Sequence, residues 1–362
     1  RDKTMQRQLA TLLLSVVALS AHAAGDGSSP QRFSKQDSLL QPAVATRLAT
    51  RSVLVGITRA GDRLVAVGER GHILVSDDNA RSWQQVKVPV SVTLTAVRFA
   101  DAKNGWVVGH SGVILHTTDG GTTWRKQLDG VQANQLIADA ARASGKPESI
   151  ARAQALAGEG PDKPLLAVHF SDAQRGLAVG AYGMAFSTED GGAHWTPVFD
   201  MLLDGDERHL YAIEESPKGG LYVAGEQGVV FRRATPTGHF EKLNTPFRST
   251  LFDIRSASDG SLMALGLGGK LYRSEDQGAQ WSESPMPGKA SLTATVAWKE
   301  GVVLGNEAGQ LLISTDQGRS VKAVPTHQPF PVSGLALAAD GQLVVVGPRG
   351  VQAMAASSIP TN

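Results

Sequence analysis

The chain has 362 residues, with 40 glycines, 6% aromatic residues and nearly balanced charge, 35 Lys+Arg against 34 Asp+Glu. Such a composition suits one glycine-punctuated all-β domain and excludes a polybasic nucleic-acid binder or a disordered chain. With no cysteine, a disulfide framework and a thiolate metal site are excluded, and no cysteine-linked lipid anchor is expected.

Residues 1–24 read as an export signal. Met5 and Arg7 precede an apolar run, Leu9 to Ser20, and Ala21-His22-Ala23 offers a small-x-small cleavage site. The run is too short for a membrane span, and no later segment reaches the roughly 18 to 20 apolar residues that a span needs. A mature chain in the periplasm with no membrane span is therefore expected. Residues 25–51 form an N-terminal segment in which Ser38-Leu39-Leu40-Gln41-Pro42-Ala43-Val44 has strand character.

Residues 52–356 repeat themselves. The clearest unit is Leu94 to Trp124, which reads as strand, turn, strand, tight turn, strand and a turn into a fourth strand. Gly109 and Gly112 bracket the tight turn and suit a backbone at positive φ. In Thr117-Thr118-Asp119-Gly120-Gly121-Thr122-Thr123-Trp124, the Asp carboxylate can accept turn N–H groups while Trp buries its ring. Further copies of this Asp box carry Asp78 with Trp83, Asp190 with Trp195, Asp276 with Trp281, and Asp316. The Gly-x-x-Gly landmark recurs at Gly68/Gly71, Gly109/Gly112, Gly180/Gly183, Gly225/Gly228, Gly266/Gly269, Asn306/Gly309 and Gly347/Gly350. Successive first positions lie 41, 71, 45, 41, 40 and 41 residues apart. A period in the forties with four short strands per unit predicts a seven-bladed β-propeller. The fourth unit has lost its Asp box and keeps only Phe240 near the aromatic position.

The long interval holds residues 129–163, the helix-like part of the mature chain. Gln132 to Ala143 and Glu148 to Leu156 have helical apolar spacing, with Pro147 at a favourable first-turn position. A helical hairpin inserted between blades two and three is predicted. The seventh unit, Gly334 to Met354, has three strand signals and a small-residue tail, 357–362 being outside the repeat. Since an open edge is a pairing liability, residues near 38–48 are expected to supply the fourth strand of blade seven.

Alternating strand direction puts the Gly-x-x-Gly turns and the insertion on one face and the Asp boxes on the other. The candidate partner-binding residues are accordingly the variable ones of the rim turns: Glu69, Arg70, His110, Ser111, Tyr182, Glu226, Gln227, Glu307 and Arg349. Recurrence in successive units makes Asp78, Asp119, Asp190, Asp276 and Asp316 turn locks rather than catalysts, and Trp83, Trp124, Trp195 and Trp281 wedges between blades.

Val-Gly-x-x-Gly combined with Thr-Thr-Asp-Gly-Gly-Thr-Thr-Trp, repeated from Val53 to Met354, resembles the bacterial-neuraminidase-repeat propellers of the photosystem II stability and assembly factor type. That resemblance implies an exported, non-enzymatic scaffold that holds an extracytoplasmic part of a membrane protein complex. It also implies an arginine-rich surface, for which Arg70, Arg232, Arg233, Arg255, Arg273 and Arg349 are available. Relatives of this type beside efflux exporters make a resistance-nodulation-division-type exporter one partner to consider. The alternative is a sialidase-like glycoside hydrolase or a carbohydrate-binding propeller. Two-carboxylate hydrolysis needs acids about 5–9.5 Å apart, yet Glu69, Glu226 and Glu307 fall in blades one, four and six, no two of them adjacent. No Phe/Tyr-Arg-Ile-Pro segment occurs, and the histidines lack metal-ligand spacing. The reading is therefore a non-catalytic protein, monomeric by itself, with no cofactor, no metal and no nucleic-acid partner.

Overall fold

The computed structural model describes residues 37–299, 301–325 and 328–354. The expected export signal and the tail at 357–362 lie outside the described residues. Residues 35–362 form one compact unit, whose described part contains six four-stranded antiparallel sheets and one three-stranded sheet, each in sequential strand order. The first strands touch one another around a ring, Leu54–Ala60 against Leu94–Phe99 and onward, until Gly334–Leu337 meets Leu54–Ala60 again. The predicted seven-bladed β-propeller is the observed fold.

Burial explains the residue pattern. Second strands such as Gly105–Gly109, Leu221–Gly225 and Leu262–Gly266 are buried at every position, because each sheet is covered on both faces by its neighbours. A strand covered twice reads as a continuous apolar run rather than an alternating one. Outermost strands are short and exposed, Glu241–Lys242 and Ser282–Glu283 being two-residue examples.

Asp boxes lock the turns into the outer strands. The Asp119 carboxylate accepts from Thr122 N at 3.0 Å, Thr123 N at 2.9 Å and Thr123 Oγ1 at 2.6 Å. Thr117 Oγ1 donates to Asp119 at 2.7 Å and accepts from Gly121 N at 3.0 Å, while Trp124 Nε1 donates to Gly121 O at 3.0 Å. Asp78, Asp190, Asp276 and Asp316 repeat the arrangement. In blade four, which lacks the box, Asp200 accepts from Phe240 N at 2.9 Å and Arg233 lies over the Phe240 ring at 5.1 Å. Trp124 and Trp195 are buried, whereas Trp83 and Trp281 are only partly so. The main wedge between blades two and three is Trp106, fully buried, stacked on Phe170 at 3.4 Å and donating to Gly191 O at 3.2 Å.

Two expectations need correction. Residues 38–48 do not complete blade seven, which has three strands among the described residues. Instead they run along blade one, Ala43 N donating to Val88 O at 3.0 Å, Ser91 N to Ser38 O at 2.8 Å and Gln85 Nε2 to Val44 O at 3.0 Å. The reason lies in what each edge offers. Blade one has a two-residue outer strand, beyond which Val88 O and Ser91 N bond the segment's backbone, while Gln352 and Ala353 leave the edge of blade seven polar or small and exposed. The segment nevertheless reaches blade seven through the turn Ala49–Arg51, so close that a Cβ on Gly350 would lie 1.9 Å from Thr50 O. The second correction concerns the first glycine of each landmark. Gly109 is extended, at φ −171, and is required because a Cβ would stand 2.4 Å from Thr93 O; only the later glycine, Gly112 at φ 62, needs the left-handed region.

The insertion forms two helices, α1 (Gly130–Ser144) and α2 (Pro147–Gly158). Asp129 caps α1 in a capping box with Gln132, and Pro147 opens α2. Ala133, Ile137, Ala141, Ala153 and Leu156 are buried in one cluster with Trp106, Leu165 and Trp195, and α1 touches the turn His110–Gly112. The hairpin therefore shares the face of the Gly-x-x-Gly turns and is part of the core.

Trp124→Ala should cost about 3–5 kcal/mol in urea denaturation, and Trp83→Ala distinctly less because its ring is less buried. The Asp119 carboxyl is pushed up by burial, but bonds from Thr123, Thr117 and Thr122 outweigh this and hold it down to about 2. Its contribution is therefore complete above the free value of about 4 and disappears as the folded group is protonated. Asp119→Asn should be less stable than the parent at neutral pH, with the gap in thermal midpoint closing as the pH falls toward about 2.

Candidate functional site

The rim turns Glu69–Gly71, His110–Gly112, Ala181–Gly183 and Glu226–Gly228 share one backbone form. Their middle residues are left-handed without being glycine: Arg70 at φ 54, Ser111 at 55, Tyr182 at 58 and Gln227 at 55. Such positions are uncommon and persist only where the surroundings dictate them. Here the dictating contact is the bond from the residue after the first landmark glycine to the residue before the blade's first strand, as from His110 N to Thr93 O at 2.8 Å.

The rim glutamates reinforce that same bond. Glu69 Oε1 accepts from Val53 N at 3.0 Å, Glu226 Oε2 from His209 N at 2.8 Å and Glu307 Oε1 from Ser291 N at 3.0 Å. Each carboxylate thus ties its turn to its own blade. Arg70, Gln227 and Arg349 are exposed, and the backbone of Ser111 lies beneath the start of α1, its carbonyl 2.9 Å from where a Cβ on Gly130 would stand. His110 is half-buried; burial holds its imidazole below the usual value, with Asp162 pulling the other way.

Tyr182 joins a group absent from the sequence expectations. Its ring meets His209 edge-on at 4.9 Å, His209 lies 6.4 Å from Tyr211, and Tyr211 meets Phe252 at 5.5 Å. This aromatic arc crosses blades three, four and five. Tyr211 and Phe252 occupy the bulge that follows Leu210 and Leu251, and bulges re-aim side chains. Burial, then Glu226, push the Tyr211 phenol well above its usual value. Aligning the six first strands that begin with leucine would have exposed the position; reading each turn alone does not. Arg152 of α2 pairs with Glu207 and donates to Tyr182 O at 2.9 Å, fastening the hairpin to the arc.

Two of the arginines anticipated for a surface patch are engaged between blades. Arg232 donates to Gln277 Oε1 at 2.5 Å, and Arg273 to Asp259 at 2.7 Å and Gln317 O at 2.9 Å. Arg255 instead lines a cavity of about 540 Å³ in the centre of the ring, together with Arg98, Glu214, Arg59 and Lys299. These residues stand at the ends of first strands or in the turns that follow, so the cavity opens on the Asp-box face; the rim-turn candidates do not line it. Among the described residues, no group of three or more His, Asp or Glu could hold a metal ion, and no helix is long and apolar enough to cross a membrane.

Comparison with known proteins adds what the chain is similar to. The family described as photosynthesis system II assembly factor YCF48 matches residues 75–140. Photosystem II assembly protein Ycf48 of Thermosynechococcus vestitus is 23% identical over 273 residues, covering 68% of this chain and 77% of that protein. Photosystem II stability/assembly factor HCF136 of Guillardia theta is 46% identical over 48 residues, 13% of this chain and 12% of that one. Among solved structures, YCF48 bound to D1 peptide has a TM-score of 0.62 at 18% identity, covering 86% of this chain and 97% of that one. A streptogramin B lyase has a TM-score of 0.65 at 14% identity, covering 84% and 95%, so both structural likenesses speak for the fold alone. Repeats, the match over residues 75–140 and the seven sheets together make the chain similar to the Asp-box β-propellers of the photosystem II stability/assembly factor type.

Proposed function

We propose that this chain is a non-catalytic scaffold that holds an extracytoplasmic segment of a membrane protein, as an assembly or stability factor for the complex to which that protein belongs. The observation that carries this reading is the fastening of the helical hairpin to the rim: the Asp129 capping box and the Arg152 contacts with Glu207 and Tyr182 make one preformed surface of α1, α2 and the aromatic arc. A surface ordered before the partner arrives avoids the entropic cost of ordering on contact. Relatives named as photosystem II assembly proteins, and a related structure described as bound to a D1 peptide, support a membrane-protein partner. Periplasmic location rests on the signal read in residues 1–24. A resistance-nodulation-division-type exporter as partner rests on the sequence resemblance alone.

The rim glutamates weigh against a glycosidase, since each is occupied by a backbone N–H of its own blade. Glu226→Ala should lower stability by about 1 kcal/mol by removing the acceptor for His209 N, with hydrolysis of sialosides and β-glucans absent from parent and variant alike.

Partner capture tests the main reading. Crosslinking in the native membrane followed by mass spectrometry should recover a membrane protein. Gln135→Lys, Arg142→Glu and Gln154→Lys, combined on the exposed side of the hairpin, should leave the thermal midpoint unchanged and cut that recovery about tenfold, the effect of losing roughly 1.4 kcal/mol of affinity. Unchanged recovery both in this triple variant and in Arg70→Glu/Arg349→Glu would overturn the proposal.

A further inference from the structure

The channel carries a charge that the fold does not use. Register places Thr58, Arg98, His169, Glu214, Arg255, Val296 and Ala336 at one level, each paired with the residue three before the first landmark position of its blade. Two arginines therefore share a ring. Arg255 is paired: its Nη1 meets Glu214 Oε2 at 3.4 Å, and its Nε meets Thr295 Oγ1 at 3.2 Å and Asp253 Oδ1 at 3.3 Å. Glu214 and Asp253 are occupied further, by Ser256 N at 2.8 Å and Thr295 Oγ1 at 2.7 Å.

Arg98 is different. No described residue hydrogen-bonds or ion-pairs with its guanidinium, although it lines the cavity. The charge of Arg255, and then burial, hold it down to about 10, with Asp253 and Glu214 acting in the opposite sense. The buried hydroxyl of Ser256, another residue of the same lining, has no hydrogen-bond partner among the described residues. Arg59 and Lys299 are exposed on the same lining. Four cationic side chains and one carboxylate thus line a space of about 540 Å³, a volume typical of small-molecule sites.

A guanidinium left without a direct partner in a partly enclosed space costs stability unless something answers it. A guanidinium fork with free N–H groups matches the two oxygens of a carboxylate or phosphate. We propose that the central cavity binds a small doubly charged oxyanion, a dicarboxylate or a phosphomonoester, through the Arg98 guanidinium and the Ser256 hydroxyl. The ligand enters from the Asp-box face, so this site and the hairpin surface stand or fall separately.

Isothermal titration of the whole chain with sodium succinate and, separately, sodium glycerol 3-phosphate tests this, against sodium chloride of equal ionic strength. One probe or both should bind saturably at one site per chain, and whichever binds more tightly identifies the class. Arg98→Gln should weaken that binding at least about tenfold while leaving the ligand-free thermal midpoint unchanged or raised; Arg248→Gln, an equal change of charge at an exposed arginine away from the cavity lining, should leave it intact. Absence of saturable binding by either probe overturns the proposal, as does equal affinity in Arg98→Gln. Should Arg98→Gln fold poorly, Ser256→Ala decides: weaker binding supports the site, and unchanged affinity overturns it.

Discussion

Two-sided burial is the constraint from which this molecule follows. A sheet whose second and third strands are apolar on both faces, as Leu64 to Gly68 and Ile73 to Ser76 are, cannot exist alone in water. It must be sandwiched, and sandwiching every sheet in a series demands a closed ring. Within each blade, pairing of the first two strands brings the entry to the first against the turn that leaves the second. That approach is so tight that Cβ atoms on Gly68, Gly180, Gly225, Gly266 and Gly347 would come within 2.0–2.2 Å of a carbonyl oxygen. The repeat is thus written in glycine by crowding rather than by backbone freedom. Asn306 marks the exception, and there its side chain caps the turn by accepting from Gln310 N at 2.8 Å.

Ring closure also divides labour between two faces. The Asp-box face is a set of local locks, each carboxylate answered within four residues. The opposite face is held by bonds from turn to first strand, which leave the middle residue of each turn free to vary. Arg70, Ser111, Tyr182 and Gln227 have different side chains on nearly identical backbones. Variation over a fixed frame suits the recognition role proposed for this face, and the hairpin widens the face without loosening it, because its apolar side is continuous with the core between blades two and three.

How much of this could be read in advance depends on the range of the interaction. Asp119 with Thr123, the two helices and the strand order are encoded within a few residues or by period, and they were legible. The leader was not: that residues 38–48 line blade one rather than complete blade seven rests on backbone bonds with Val88 and Ser91, far away in sequence, and on an edge at Gln352 and Ala353 that stays exposed. Trp106 was hidden for a similar reason. It lies in a strand rather than in an Asp box, and its partners Phe170 and Gly191 come from the next blade. The rim glutamates were placed on the correct turns, but the direction of their side chains follows from a backbone N–H 16 or 17 residues away.

Channel residues are the hardest to anticipate, because a ring brings together positions separated by whole repeats. Arg98 and Arg255 belong to blades two and five, and no local spacing relates them. Yet their equivalence is exact in register, each opposite the residue three before a landmark glycine, Trp106 and Met263 respectively. A repeat protein must fill each such level with seven side chains of acceptable size, and apolar or hydroxyl residues meet that need at Thr58, Val296 and Ala336. Packing alone therefore gives no reason to place two guanidinium groups at one level while supplying carboxylate partners to only one of them. The asymmetry between an ion-paired Arg255 and an unpaired Arg98 is what motivates the proposed oxyanion site.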